Sequence, residues 1–349
     1  ALFWIIAEEI KKEEGTLRMI VQPDASVISG ILRLCGRTES NVRIDHIICL
    51  SDQPDKIEDG KLYNLECLKK ILPLYNYNYD YNSWYYYGNT SYVDMAFVMF
   101  PYMVLTSEYA CMLSADIKSG CITRDKEMIK MLEERFTSYQ KKSRRLVNCI
   151  ANIMEQFDVV GTAVSTKYSG YNLQMEPCVM SFLDQEIIEK YLNPQMPNRE
   201  YFVKETIAYC KNLSAQNITY IFSMDGLLHF LETGNIRELS QDIYIRPALE
   251  DRVKIIERIL HPEGGQKVKI LKQKIGHPET DVNILVTSEH GLLRVAVPAK
   301  NIFLDMILEE SGVLYSFYDF CENLGNVMFY GQEEAERLVL EHAKMLQCE

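Results

Sequence analysis

The fold of this 349-residue sequence is indicated by two short stretches: Leu105-Thr-Ser-Glu-Tyr-Ala-Cys-Met-Leu113 and Val286-Thr-Ser-Glu-His-Gly-Leu-Leu-Arg294. In each, an apolar run ends at the polar tripeptide Thr-Ser-Glu and a second apolar run follows. This pattern predicts a strand, a tight turn and a second strand. A shared tripeptide is weak evidence by itself, because tripeptides recur by chance, but helices and strands precede both stretches in a similar order. We therefore predict an internally duplicated α/β protein.

The segments further upstream support the duplication. Thr16-Leu-Arg-Met-Ile-Val21 is β-rich, and Asp24 can cap the helix that follows it. Thr219-Tyr-Ile-Phe222, followed by Asp225 and another apolar helix, is predicted to be the counterpart in the second half. The fold class predicted from these patterns is α/β, with two related halves.

The predicted domain boundaries follow the changes in pattern along the chain. We expect a helix over 1–14 that continues from a missing upstream segment, because an apolar helical pattern is already present at the first residues. A first α/β half is predicted over 15–157 and a second over 199–349. The segment 158–198, which carries glycines and prolines among polar and aromatic residues, is predicted to be an irregular connection.

A long helix is predicted at the end of the first half. Asp125 can cap it, and apolar residues then recur at alternating steps of three and four as far as Phe157, with Ser143 as the single polar interruption. A helix of about 33 residues would reach about 50 Å. The apolar stripe of such a helix packs either against another part of the same chain or against a second copy of the chain, and both alternatives stay open.

Composition excludes several classes of protein. With 47% hydrophobic and 25% charged residues the chain is not disordered, and its longest apolar stretch, 95–105, is about half the length of a membrane-spanning helix. The net charge of -12 opposes nonspecific binding to nucleic acid or anionic lipid. The ten cysteines form no Cys-x-x-Cys pair, so reduced thiols and a cytoplasmic location are expected.

The first half also carries a motif that resembles a known family. Leu113-Ser-Ala-Asp-Ile-Lys-Ser-Gly120, after a strand, turn and strand, is similar to the end of the phospholipase D signature. That signature is His-x-Lys, four residues, Asp, and then a strand that ends in Gly-Ser-x-Asn, and the fold holds two copies. The resemblance implies a histidine nucleophile on phosphorus in one copy and a histidine acid in the other.

The catalytic residues of that family are missing. If Ser114 and Asp116 occupy the Ser and Asn positions, Thr106 occupies the Asp position, and Met99 and Pro101 fall where His and Lys belong. In the second copy the corresponding positions are Thr280 and Val282. An alignment to the signature that is shifted by two residues also places no histidine and no lysine at these positions. Because phosphoryl transfer needs an activated nucleophile and an acid, the resemblance implies an inactive phospholipase D-like fold.

Most of the chain is also similar to the C-terminal region of bacterial helix-turn-helix transcription regulators. In such proteins a DNA-binding head precedes this region, and the acidic charge agrees with DNA contact lying elsewhere. The matching segments are Gln22-Pro-Asp24, Arg43–Ser51, Leu105–Tyr109, Leu113–Asp116, Asp225–Gly234 and Arg246–Arg252.

These observations predict a non-catalytic ligand-sensing effector region of a bacterial transcription regulator. A small molecule is expected in a cleft between the two halves, with DNA contacted only through an upstream domain, no cofactor and a homodimeric assembly. Two alternatives stay open: a hydrolase or transferase with an unrecognised active site, and a protein–protein assembly module.

The candidate site combines a tyrosine-rich segment with the two repeated turns. The segment 74–94 holds eight tyrosines and one tryptophan, which is typical of a loop packed on the core or of a ligand lid or interface. The predicted ligand-binding residues are Tyr85, Tyr86, Tyr87, Glu108, Tyr109, Ser114, Asp116, Glu289 and His290.

No metal site is predicted. His261-Pro-Glu263 and His277-Pro-Glu279 are separated by a predicted strand that would place them about 26 Å apart, so they are interpreted as turn residues. Lys141-Lys-Ser-Arg-Arg145 is interpreted as a solvated basic face, with contact to an anion or a partner as the alternative.

Overall fold

The computed structural model describes residues 1–23, 26–36, 41–51, 63–88, 99–150, 168–236, 243–275, 282–297 and 302–348. The chain divides into two units, each described by itself. The first unit comprises Ala1–Asn148 with Leu308–Ser316, and the second comprises Cys149–Ile307 with Phe317–Glu349. Among the described residues, no helix has both the length and the apolar character needed to cross a membrane.

The first unit is built on a seven-stranded mixed sheet. Its strands are β1 (Thr16–Ile20), β2 (Arg43–Leu50), β3 (Asp80–Tyr87), β4 (Tyr102–Leu105), β5 (Ala110–Leu113), β6 (Gly120–Thr123) and β7 (Arg144–Arg145). They are arranged in the order β6-β5-β4-β1-β2-β3-β7. β1, β2 and β3 are parallel, whereas β4, β5 and β6 continue from β1 as an antiparallel meander.

The helices of the first unit cover both faces of this sheet. They are α1 (Leu2–Ile10), α2 (Ser26–Cys35), α3 (Tyr63–Ile71) and α4 (Lys126–Lys142), with a 3-10 turn at Leu72–Asn76. Every residue of β2 after Arg43 is buried, which is expected of an apolar strand in the middle of a parallel sheet. Within the segment 1–14, which is predicted to be helical, α1 ends at Ile10.

The predicted helix after Asp125 is present but shorter than predicted. The Asp125 side chain caps α4 by accepting the N–H of Met128 at 2.8 Å, and the helix ends at Lys142 after 17 residues. Ser143 is already extended, and β7 then pairs with β3. The apolar stripe of α4 packs on its own sheet, where Ile129, Leu132 and Phe136 are buried. The predicted continuation over 151–157 lies outside the described residues.

The second unit is built on another seven-stranded sheet. Its strands are β8 (Asn148–Ile150), β9 (Ser169–Leu173), β10 (Asn217–Ser223), β11 (Lys267–Leu271), β12 (Val282–Thr287), β13 (Gly291–Val297) and β14 (Ile302–Leu308). Its order is β11-β10-β9-β12-β13-β14-β8. The further helices of the chain are α5 (Gln185–Tyr191), α6 (Arg199–Ser214), α7 (Met224–Thr233), α8 (Leu249–Leu260), α9 (Ser311–Glu322) and α10 (Gln332–Cys348).

The two sheets repeat the same topology, which confirms the prediction of two related α/β halves. β9, β10 and β11 are parallel like β1, β2 and β3. β12 is antiparallel to β9, β13 is antiparallel to β12, and β14 follows, as β4, β5 and β6 do beside β1. The repeat continues after the meander. α9 leads to Met328–Tyr330, which hydrogen-bond to β11, and α4 leads in the same way to β7 beside β3.

One predicted equivalence is wrong. The strand that contains Thr219–Phe222 corresponds to β2, and the counterpart of β1 is β9, which falls in the segment predicted to be an irregular connection. Its sequence, Ser-Gly-Tyr-Asn-Leu, has little β propensity, so no strand was predicted there. Gly170 is required at this position because a Cβ would lie 2.2 Å from the carbonyl oxygen of Val286 on the neighbouring strand.

The tyrosine-rich segment also differs from the prediction. Its C-terminal part, which was predicted to be a loop, forms β3, parallel to β2 over all eight residues. Tyr79, Tyr81 and Tyr85 are buried. Aromatic residues favour strands, but the alternation of tyrosine with asparagine and aspartate over 75–81 suits either an extended strand or a loop.

Candidate functional site

The middle of β2 holds a buried histidine. His46 on β2 contacts the Tyr81 hydroxyl through Nδ1 at 2.7 Å and the Val21 carbonyl oxygen through Nε2 at 2.8 Å. A carbonyl only accepts, so Nε2 carries the proton and Nδ1 accepts from Tyr81. Burial lowers the pKa of His46 to about 4, so the ring is neutral at neutral pH. With both nitrogens bonded inside the protein, this imidazole is structural.

A second buried polar cluster lies at the carboxyl end of β3. Glu310, which is 1% exposed, accepts hydrogen bonds from the Tyr87 hydroxyl at 2.8 Å and from the Asn64 amide at 3.2 Å. Its carboxylate also accepts the N–H groups of Gly312 and Val313 in the first turn of α9. Four donors therefore surround one buried carboxylate, which holds the start of α9 within the first unit.

The three tyrosines that are predicted to bind ligand lie on two different faces of β3. Tyr85 is 2% exposed and packs against Tyr87 with ring centroids 5.4 Å apart. Tyr86 points to the opposite face, toward the apolar cluster beneath α4, where it lies 6.0 Å from the ring of Tyr139. Tyr87 is partly exposed but its hydroxyl is bonded to Glu310. None of them forms a lid, because their backbone is fixed in the sheet.

Glu108 and Tyr109 lie at the opposite, amino edge of the sheet, since β4 runs antiparallel to β1. Lys12 forms an ion pair with Glu108 at 2.9 Å, and this contact lowers the pKa of Glu108. The Arg124 guanidinium lies 4.3 Å above the ring of Tyr109, whose edge contacts Trp4. The structure therefore separates these two residues from Tyr85–Tyr87 rather than bringing them together.

Ser114 and Asp116 form a closed turn between β5 and β6. The Ser114 hydroxyl donates to Asp116 at 2.6 Å, and this hydrogen bond lowers the pKa of the Asp116 carboxyl. Met99, at the position of the family's histidine, is 77% exposed. It precedes β4 at the same edge of the sheet as Ser114.

Glu289 and His290 occupy the turn of the second half that matches Glu108 and Tyr109. Both are exposed, and their N–H groups donate to the Thr287 hydroxyl oxygen at 3.2 and 3.0 Å. The prediction that these residues contact a ligand together with residues of the first half stays a prediction.

The second unit contains a cleft that was not predicted from the sequence. Its volume is about 520 Å³. It lies at the amino edge of β10 and β11, where α6 and α8 both end. The lining residues are Ser181, Phe182, Leu183, Asp184, Ser214, Ala215, Arg258, His261, Glu263, Gly264 and Gln266.

Two of the three charged side chains that line the cleft, those of Asp184 and Glu263, are carboxylates, which accept hydrogen bonds. Asp184 caps α5 through the N–H of Ile187 and pairs with Arg258, so these two charges neutralise each other. His261 lies 3.6 Å from Glu336. Glu263 is exposed in the cleft, and the carbonyl ends of α6 and α8 add negative potential. The cleft therefore favours a ligand that donates hydrogen bonds or carries positive charge.

Neither this cleft nor the role of Glu310 is indicated by a pattern in the sequence. Asp184 before an apolar helical run predicts a helix cap, and its pairing with Arg258 joins residues 74 positions apart. Such contacts depend on tertiary structure. Among the residues that the structure describes, no group of three His, Cys, Asp or Glu side chains is arranged to hold a metal ion.

No family model matches the chain, and no curated protein matches it. Similar solved structures include the polyphosphate kinase of Porphyromonas gingivalis, with 10% identity and a TM-score of 0.26 over 92% of this chain and 47% of that one. The phosphatidylserine synthase of Haemophilus influenzae Rd KW20 has 10% identity and a TM-score of 0.25 over 99% of this chain and 91% of that one. This chain thus spans about half the length of the polyphosphate kinase. These likenesses are too distant to transfer an activity.

Proposed function

We propose that this chain is a non-catalytic, ligand-binding effector region of a transcription regulator, and that the cleft of the second unit takes a small cationic or amine-bearing molecule. The observation that carries the proposal is the cleft itself. A volume of about 520 Å³ lies within the range of small-molecule sites, and the exposed carboxylate of Glu263 is part of its lining. The link to transcription rests on the resemblance of the sequence to the C-terminal regions of helix-turn-helix regulators.

The placement of reactive side chains favours binding over catalysis. His46 is buried and neutral with both nitrogens bonded. Burial raises the pKa of Cys111 to about 11 and the pKa values of Cys210 and Cys321 to about 12, so these thiols are not nucleophiles at neutral pH. The positions that match the histidine and lysine of the phospholipase D signature carry Met99 and Pro101.

Two measurements on the full chain test this proposal. Native mass spectrometry of the purified protein should detect a small co-purified molecule or, after its removal, saturable binding of spermidine as a cationic probe. Assays with bis(p-nitrophenyl) phosphate and p-nitrophenyl esters should show no turnover above background. Turnover that is abolished by Glu263→Gln or His261→Gln would contradict the non-catalytic proposal and favour an enzyme that acts in this cleft.

A further inference from the structure

In the described part of the chain, the outer edge of β6 is open. β6 is the terminal strand of the first sheet, and no described strand pairs with its outer side. Gly120, Cys121 and Ile122 are exposed, and Ile122 retains 43% of its accessible surface. A strand edge of this kind presents unpaired backbone donors and acceptors, which most proteins protect with a charged residue or a proline inside the strand. The strand Gly-Cys-Ile-Thr contains neither.

The hydrogen-bond pattern identifies the groups that point outward. Ser114 donates its N–H to the Ser119 carbonyl at 2.9 Å, so these two residues form a hydrogen-bonded pair at the end of the hairpin. Along an antiparallel ladder such pairs alternate, which directs the backbone groups of Cys121 and Thr123 toward β5. The N–H and C=O groups of Gly120 and Ile122 therefore point away from the sheet.

The second half shows which kind of strand pairs with the equivalent edge, that of β14. β14 occupies the position in the second sheet that β6 occupies in the first, and its outer edge is paired with β8. β8 is a strand of three uncharged residues, Asn-Cys-Ile. Among the strands that the structure describes, the same topological position is thus filled in one repeat and open in the other.

Apolar side chains lie beside the open edge. Ile122 pairs with Cys111 on the sheet face that carries Met19 and Val104. Arg124, directly after β6, stacks on Tyr109, and Tyr109 contacts Trp4, which is 52% exposed. An added strand would therefore gain apolar contacts as well as backbone hydrogen bonds.

We propose that the outer edge of β6 is a strand-addition site for a partner protein, and that the partner contributes a short, extended, uncharged segment of the kind seen in β8. The backbone groups of Gly120 and Ile122 supply the hydrogen bonds. Ile122 supplies the apolar contact that fixes which face of the added strand lies against the protein. This site is independent of the cleft in the second unit.

A peptide that carries the β8 sequence tests the proposal on the full chain. The probe is a fluorescent heptapeptide of residues 146–152, which are all uncharged, with serine in place of Cys149. We expect saturable binding to the wild-type chain in fluorescence anisotropy and slower amide exchange at Ile122 when the peptide is bound. Ile122→Pro removes one outward N–H without touching the ladder to β5, and it should weaken binding at least tenfold. The matched control Ile122→Ala keeps that N–H and should weaken binding no more than threefold.

Three results would overturn the proposal. The peptide does not bind the wild-type chain, or it binds the Ile122→Pro variant as tightly as the wild-type chain. The third result is a wild-type dimer in light scattering that the substitution Ile122→Pro converts to a monomer. In that case a second copy of this chain, and not a segment of a partner protein, occupies the edge of β6. Circular dichroism of both variants establishes that they fold.

Discussion

Thr106 and Thr287 hold the same turn in the two halves of the molecule. The hydroxyl oxygen of each accepts the N–H of the residue three positions later at 3.0 Å, from Tyr109 and from His290. The backbone N–H of each threonine also donates to the carbonyl of that later residue at 2.9 Å. The repeated tripeptide in the sequence thus has a physical cause, because the threonine hydroxyl satisfies the backbone of a tight connection between two antiparallel strands.

The buried His46 makes the first unit sensitive to acid. Its pKa of about 4 lies below the value near 6.5 expected in the unfolded chain, so stability is fully present above pH 6.5 and is lost as pH falls toward 4. At pH 5 the loss amounts to about 2 kcal/mol. Urea unfolding followed by tryptophan fluorescence reports on this unit, because both tryptophans, Trp4 and Trp84, belong to it.

The control for this prediction is His46→Asn, which removes the titrating ring. The stability difference between the wild-type chain and this variant should shrink by about 2 kcal/mol between pH 7.5 and pH 5. A difference that stays constant over this range would show that His46 does not titrate with a lowered pKa.

Glu310 is expected to be essential to the stability of the first unit. Glu310→Ala leaves the Tyr87 hydroxyl, the Asn64 amide and two backbone N–H groups without their acceptor, which should cost about 3 kcal/mol. Tyr87→Phe removes one of these bonds and should cost about 1 kcal/mol. The same tryptophan fluorescence measures both. The control is Glu13→Ala, at an exposed position of the same unit, which should change the free energy of unfolding by less than about 0.5 kcal/mol. An equal loss of stability in Glu310→Ala and Glu13→Ala would refute the role of Glu310 as the acceptor of this buried cluster.

Two glycines on helices should respond to alanine in opposite directions. At Gly226, in the first turn of α7, a Cβ would lie 2.0 Å from the carbonyl oxygen of Met175, so Gly226→Ala should destabilise the second unit by about 2 kcal/mol. At Gly30, on α2, a Cβ would meet no atom within 4 Å, and Gly30→Ala should stabilise the first unit by about 0.5–1 kcal/mol. Thermal unfolding followed by circular dichroism and by tryptophan fluorescence distinguishes the two. A stabilised Gly226→Ala variant would contradict the close approach of α7 to Met175.

Periodic, local features of the fold could be predicted from the sequence. The turns at Thr106 and Thr287, the cap at Asp125 and the buried strand β2 each depend on residues adjacent in the chain. The strand β9 could not be predicted, because Ser-Gly-Tyr-Asn-Leu becomes a strand only through its neighbours β10 and β12. The helix after Asp125 was predicted too long, since a three-four apolar spacing does not show where pairing with β3 ends a helix.

The candidate site depended still more on tertiary contacts. Tyr87 was predicted to bind a ligand from a tyrosine-rich segment, whereas its acceptor Glu310 lies 223 positions away in the sequence. The cleft of the second unit is made from three separate segments, none of which carries a chemical motif. A sequence can indicate that a tyrosine or a capping aspartate is present, whereas the cavity beside it arises from the packing of helix ends.

Titration of spermidine into the wild-type chain, followed by calorimetry, tests the proposed ligand site most directly. Glu263→Gln removes the exposed carboxylate that lines the cleft, and Glu257→Gln removes an exposed carboxylate of α8 that does not line it. We predict that Glu263→Gln weakens binding about fivefold, equivalent to about 1 kcal/mol, and that Glu257→Gln leaves the affinity unchanged. No binding to the wild-type chain, or equal weakening by both substitutions, would contradict the assignment of the cleft as a cation-binding ligand site.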